Sequence, residues 1–138
     1  MVLTGLGGVA AGIALFLVVL AVAGPKTSKQ AETATFKVGS AQRLAGTVDR
    51  TGPLLFQDLL GGSRDIYVQH LGGGDWRAFE AHAPGQPRDC FLRWRPDSRT
   101  FLDPCSGKAY PADGAGLVSY RAGADKKGAL IVDLTGPI

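Results

Sequence analysis

The side chains best suited to chemistry are two cysteines, Cys90 and Cys105, and two histidines, His70 and His82. Two thiols on a short loop can form a disulfide, and two thiols with two imidazoles are a donor set that zinc accepts. Both histidines precede both cysteines, which matches no common compact zinc pattern. A site in which His82 and both sulfur atoms hold an iron or copper ion stays open as an alternative. Otherwise the two histidines are expected to be exposed or at the rim of the domain.

The segment from Asp89 to Gly114 positions both cysteines. Cys90 to Trp94 alternates in the manner of a strand, and Arg95 to Ser98 has the Pro, Asp and Ser that are typical of a turn. Thr100 to Leu102 predicts a second short strand, and the tight loop from Asp103 to Gly107 carries the second cysteine. A hairpin of this kind can bring the two sulfur atoms together.

Two stretches, Cys90-Phe91-Leu92-Arg93-Trp94 and Phe101-Leu102-Asp103-Pro104-Cys105-Ser106-Gly107, resemble the cluster-binding loops of Rieske proteins. In that family the first loop is Cys-x-His-x-Gly-Cys, and the second is Cys-Pro-Cys-His-Gly-Ser. The first Cys and the His of each loop hold a [2Fe–2S] cluster. The remaining cysteines form a disulfide across the two loops. The resemblance therefore implies a disulfide between Cys90 and Cys105.

The resemblance also implies that the cluster ligands are missing. Their positions fall on Gly85 and Pro87 in the first loop and on Asp103 and Ser106 in the second. Glycine and proline have no donor side chain, while Asp and Ser stand where Cys and His are expected. We therefore expect the family framework without a cofactor. A [2Fe–2S] cluster with unusual ligation, using Asp103 and His82, is the alternative.

Residues 1–24 carry no charged side chain, which predicts a transmembrane anchor, because roughly 20 apolar residues span a bilayer core. The small-x-small pattern at Ala21-Val22-Ala23 leaves a cleaved secretory signal open, although no Lys or Arg precedes the apolar run. Residues 25–35 are polar and predict a linker. Residues 36–138 are then the folded domain.

The domain from residue 36 on is predicted to be all-β, with a Rieske-like antiparallel architecture. Short apolar runs recur between turn residues, as strands do. A helix over Leu54 to Leu60 is less well supported than a strand, because Gly52-Pro53 and Gly61 stand close on both sides. The predicted strands are Phe36–Val38, Pro53–Phe56, Asp65–Gln69, Trp76–Phe79, Cys90–Trp94, Thr100–Leu102, Gly116–Tyr120 and Ala129–Leu134.

Positive charge is concentrated at one place in the sequence, at Arg88, Arg93, Arg95 and Arg99. Alternation puts Arg93 and Arg95 on one face of a strand, opposite Leu92 and Trp94. Such a face is either the solvated side of a half-buried sheet or a docking patch for an acidic partner or anionic lipid headgroups.

No arrangement of residues predicts catalysis. The carboxylates of Asp97, Asp103 and Asp113 stand where turns favour Asp, and none is paired for acid–base work. A disulfide-bonded sulfur cannot act as a nucleophile. We expect neither enzymatic activity nor a nucleic-acid partner.

The sequence as a whole predicts a single-pass protein of the cell membrane. Lys26 and Lys29 follow the apolar segment, which alone would keep the domain in the cytoplasm. A cysteine pair favours an oxidising compartment, and the resemblance implies the same, so the domain is expected on the extracytoplasmic side. The expected role is a structural or accessory subunit, with other membrane-protein subunits as partners, in a complex such as one for respiratory electron transfer. A secreted binding domain is the alternative.

Overall fold

The computed structural model describes residues 34–138, which form one compact unit. The predicted anchor at residues 1–24 lies outside this range, as does the predicted linker apart from its last two residues. Between residues 34 and 138, no helix has the length and apolar character needed to cross a membrane. The first strand begins at Thr35, the last residue of the predicted linker.

The described part of the chain contains nine strands and two short helices. Their bounds are β1 Thr35–Ser40, α1 Ala41–Thr51, β2 Leu54–Asp58, α2 Leu59–Gly62, β3 Arg64–His70, β4 Trp76–Glu80, β5 Arg93–Arg95, β6 Thr100–Leu102, β7 Ala109–Pro111, β8 Ser119–Ala124 and β9 Ala129–Asp133. A six-stranded sheet has the order β1-β9-β8-β4-β3-β2, and a three-stranded sheet has the order β5-β6-β7. All of these pairings are antiparallel.

The prediction of a mostly β, antiparallel domain is confirmed, but the helix α1 was not predicted. Ser40 caps its first turn by accepting a hydrogen bond from the backbone N–H of Arg43, and Gly52 ends it with a φ of 97°. Leu44 and Val48 recur at helical spacing and pack on the large sheet. The sequence therefore contains the signals of this helix, which are a serine cap, apolar residues at helical spacing and a Gly-Pro stop.

Two strand predictions were partly wrong, and one strand was missed. Only Arg93 and Trp94 of the predicted strand Cys90–Trp94 lie in β5, which continues to Arg95, because the N–H of Cys90 closes a turn onto the carbonyl of Pro87. The strand predicted from Gly116 starts at Ser119, since Leu117 closes a turn onto Gly114. Strand β7 was not predicted. The strand at Leu54–Asp58 was correctly preferred to a helix.

Two apolar clusters hold the layers together, one on each face of the large sheet. Alternation along β3 sends Ile66 and Val68 toward α1 and Tyr67 toward the small sheet. Phe101 of the small sheet lies 5.0 Å from Tyr67 and 5.1 Å from Phe79, measured between ring centroids. The Tyr67 hydroxyl also donates to the carbonyl of Leu92 at 2.6 Å. These contacts fix the small sheet, and with it both cysteine-bearing loops, against the large sheet.

Candidate functional site

The predicted disulfide between Cys90 and Cys105 is present, with 6.0 Å between the two Cα atoms. It joins the end of the loop between β4 and β5 to the loop between β6 and β7. Cys90 is buried, whereas Cys105 is exposed. The two loops therefore form one covalently closed unit at the surface, attached to the small sheet.

The second loop is closed around the carboxylate of Asp103, which is fully buried. One carboxylate oxygen accepts the backbone N–H of Cys105 at 2.9 Å, and the other accepts the hydroxyl of Ser106 at 2.7 Å. The backbone of Asp103 also exchanges hydrogen bonds with Gly107 and Lys108. The hydrogen bond from Ser106, with those from the backbone, lowers the pKa of Asp103. Asp103 is thus an ionised carboxylate committed to the loop's own hydrogen bonds.

The first loop is built from two turns at its exposed tip. The N–H of Gln86 closes a turn onto Ala83, and the N–H of Cys90 closes one onto Pro87. Gly85 has a φ of 80°, a backbone conformation that residues with a Cβ rarely adopt. Gly85 and Pro87 are both exposed and present no donor side chain. A cysteine at position 85 would be strained in this backbone.

His82 lies against Glu80 and Phe91. Its Nε2 is 3.7 Å from a carboxylate oxygen of Glu80, and its ring meets Phe91 edge to face at 6.5 Å. Glu80 also accepts hydrogen bonds from the hydroxyl of Tyr120 at 2.6 Å and from Arg64 at 3.1 Å. Burial, together with Glu80, raises the pKa of Tyr120 to about 12. His82 therefore belongs to a polar cluster around Glu80.

Comparison with known proteins identifies the fold. No family model matches the sequence, and no curated protein matches it. Among solved structures, the chain is similar to the crystal structure of the plasma membrane Rieske protein PetC3 from the cyanobacterium Synechocystis PCC 6803. The TM-score is 0.54 at 18% sequence identity, and the match covers 71% of this chain and 98% of that chain. The described domain has a Rieske-like fold.

The residues at the four positions that the resemblance assigns to the cluster ligands do not fit a Rieske-type [2Fe–2S] cluster. In Rieske proteins the cluster is held by two thiolates and two imidazoles. Here the two second-loop positions hold a carboxylate and a hydroxyl that hydrogen-bond to each other, and the two first-loop positions, Gly85 and Pro87, hold no donor side chain. Both sulfur atoms are tied in the disulfide. Among residues 34–138, no three His, Cys, Asp or Glu side chains are grouped to hold a metal ion.

The Rieske-like loops are also anchored by an ion pair that the sequence did not reveal. Arg88 of the first loop contacts both carboxylate oxygens of buried Asp65 on β3, at 2.6 and 2.8 Å. It also reaches Asp58 at 2.9 Å and the carbonyl of Gly62. The hydrogen bonds from Arg88 lower the pKa of Asp65. Arg88 thus ties the first loop to the β2–β3 hairpin.

The other three arginines of the predicted docking patch have no such partner. Arg93 and Arg95 are exposed and share one face of β5, as predicted, and Arg99 lies in the turn between β5 and β6. None of the three forms an ion pair with another residue of the described range. A docking role for these arginines stays a prediction.

His70 is buried, so the prediction of an exposed or rim histidine is wrong at this position. Its Nδ1 lies 2.8 Å from a carboxylate oxygen of Asp49, and its Nε2 lies 2.8 Å from the carbonyl oxygen of Gly73. Both partners are acceptors, so a doubly protonated ring satisfies both contacts. The hydrogen bond to Asp49, followed by that to Gly73, raises the pKa of His70. The ring also packs 4.7 Å from Trp76.

The stability of the domain should fall as the pH rises through the raised pKa of His70. Because the pKa of His70 is raised in the folded state, the stability that its protonated ring contributes is fully present below the unfolded pKa of about 6.5 and is lost above the folded pKa. We expect a loss of about 1 kcal/mol, since Asp49 is itself exposed to solvent. Urea unfolding between pH 5 and 9 measures it. His70→Gln should reduce this dependence of stability on pH, and an unchanged dependence in that variant would contradict the assignment.

Proposed function

We propose that this chain is a membrane-anchored, Rieske-like domain without a cluster, acting as a structural or accessory subunit of a membrane complex. The observation that carries the proposal is the hydrogen bond between Asp103 and Ser106. It joins the two second-loop positions where the family has ligands, and it fills the loop with the chain's own polar groups. A loop completed in this way keeps its shape without a metal centre.

A membrane location is supported by two independent features. Residues 1–24 are apolar over a length sufficient to span a bilayer. The similar solved structure is that of a plasma membrane Rieske protein. The disulfide supports an oxidising compartment and hence the extracytoplasmic side, since cytosolic thiols are kept reduced.

The role of an accessory subunit is supported by what the domain presents in place of a redox centre. The disulfide and the Asp65–Arg88 pair hold the two loops on the rigid large sheet. Arg93 and Arg95 add two exposed positive charges on the small sheet beside those loops. Two rigidly held loops beside a positively charged strand suit docking to an acidic surface of a partner subunit. Electron-transfer complexes are the favoured kind of assembly because of the fold.

Purification from the native membrane in mild detergent tests the proposal. The 14.4 kDa chain should migrate with larger membrane subunits, because its proposed role requires them. Arg93→Gln with Arg95→Gln should weaken this association by tenfold or more at low salt and less at high salt. Arg121→Gln, an exposed arginine on β8, is the matched control and should leave it unchanged. A chain that runs alone as a monomer would contradict the proposal.

A further inference from the structure

A cavity of about 330 Å³ lies where α1, the end of β3 and the β5–β6 turn meet. It is therefore located between the large sheet with its helix and the small sheet. Its volume is at the lower end of the range of small-molecule sites, about 300 to 1,000 Å³. The residues lining it that bear on binding are Asp49, Arg50, Gly52, His70, Trp94 and Arg99.

The charges around this cavity are mostly positive. Arg50 and Arg99 line it, and neither forms an ion pair with another residue between 34 and 138. Among the described lining residues Asp49 is the one carboxylate, and it already contacts His70. The C-terminal end of α1 carries about half a negative charge. The two guanidinium charges still exceed the charges of Asp49 and of the helix end together, about one and a half negative charges, so the cavity favours an anion.

Arg99 occupies a position in the turn that usually belongs to glycine. Its φ is 53°, and a residue with a Cβ in the left-handed region is uncommon outside Gly, Asn and Asp. Backbone conformations of this kind cluster at functional sites, where the side chain is needed at that place. Here Arg99 is one of the residues that line the cavity. This is an indication of binding that does not depend on the charge count.

The aromatic wall of the cavity is fixed by close packing. Gly52 ends α1, and a Cβ at this position would lie 2.9 Å from Cδ1 and Nε1 of Trp94. The Trp94 ring also packs 4.9 Å from Phe101 in the aromatic cluster. The indole is therefore held directly over the end of the helix. A ligand would enter a preformed site and would pay little to order it.

We propose that this cavity binds a small anion carrying a phosphate or carboxylate group. The guanidinium groups of Arg50 and Arg99 hold the anionic group, because Arg matches the planar, multidentate geometry of phosphate and carboxylate. Trp94 forms the wall beside it. The source of the anion is either a soluble phosphate compound or the headgroup of an anionic lipid. This site is separate from the disulfide loops and does not rest on the proposed function.

Titration of the full-length chain in detergent with inorganic phosphate and with glycerol 3-phosphate tests the site. The expected result is a saturable change in the ¹⁵N–¹H signal of the Trp94 indole. Removing either guanidinium should weaken binding about tenfold, the typical effect of losing a charged hydrogen bond. Arg99→Gly is the informative variant, because glycine suits this turn and should keep or raise the melting temperature. Arg50→Gln tests the other cation.

Arg43→Gln is the matched control, since Arg43 lies on the same helix, carries the same charge and does not line the cavity. It should change binding less than twofold. A second arm uses vesicles with and without phosphatidylglycerol. Saturation only by the vesicles that contain phosphatidylglycerol assigns a lipid headgroup, and saturation by glycerol 3-phosphate assigns a soluble source. No saturable change with any of these probes would overturn the proposal, as would an equal loss in Arg43→Gln and Arg99→Gly.

Discussion

Replacing Cys90 and Cys105 together by alanine is expected to lower the free energy of unfolding by about 3 kcal/mol. The two residues are 15 apart in sequence, and a cross-link over a loop of this length restricts the unfolded chain by about that amount. A domain of this size buries only a modest core, so the loss is a large share of its stability. Urea unfolding of both proteins, monitored by tryptophan fluorescence, measures the difference.

Reduction of the unmodified protein is the control for this experiment. It breaks the cross-link while the side chain of Cys90 stays in its buried position. The reduced protein should therefore be slightly more stable than the double alanine variant, which also loses the buried sulfur. A thiol count on the denatured, unreduced protein should find no free thiol from this pair. Two free thiols, or an unfolding curve unaffected by reductant, would contradict the account.

Asp65→Ala is expected to cost about 2 to 3 kcal/mol. The change removes the acceptor of three contacts, two from Arg88 and one from the backbone N–H of Asp58. Breaking a fully buried ion pair costs about 3 to 5 kcal/mol, but the side chain of Arg88 is 45% exposed, which reduces the loss. The first loop should also become mobile, which hydrogen exchange at residues 81–92 measures.

Arg88→Lys is the matched variant for the same contact. Lysine keeps the charge but cannot make the two-point contact with Asp65, so the Arg88→Lys variant should retain only part of the stability that this contact provides. The lowered pKa of Asp65 gives a further signature. Its contribution is present above the unfolded pKa of about 3.9 and is lost as the pH falls through the folded value. Asp65→Ala should therefore weaken the acid sensitivity of the domain, and a variant as acid-sensitive as the parent would refute this role.

The parts of the fold that the sequence predicts well depend on local patterns. The alternating apolar runs predict strands such as β3 and β4, because side chains on a strand point to opposite faces in turn. The Rieske resemblance implied the disulfide, which the structure contains. The helix α1 was missed because its sequence is mostly polar and therefore resembles a connection between two strands. Its cap at Ser40 and its stop at Gly52 were the available signals.

The parts that could not be predicted depend on contacts between distant residues. Asp65 and Arg88 are separated by 23 residues, and neither stands in a motif that names the other. His70 meets Asp49 only because β3 packs against the end of α1. The hydrogen bond between Asp103 and Ser106 spans three residues, but it forms only because the loop buries the carboxylate. Such pairs become visible only when the chain is folded.

The most direct test of the proposal that the domain holds no cluster is the iron content and visible absorption of the full chain, produced in a host that assembles iron–sulfur clusters. We expect a folded, colourless protein without stoichiometric iron, in which Asp103→Ala changes no absorption band. A brown protein with about two irons per chain would contradict the account, because a [2Fe–2S] centre requires that number. Bleaching of such a protein by Asp103→Ala would then identify Asp103 as a ligand and the chain as an electron carrier.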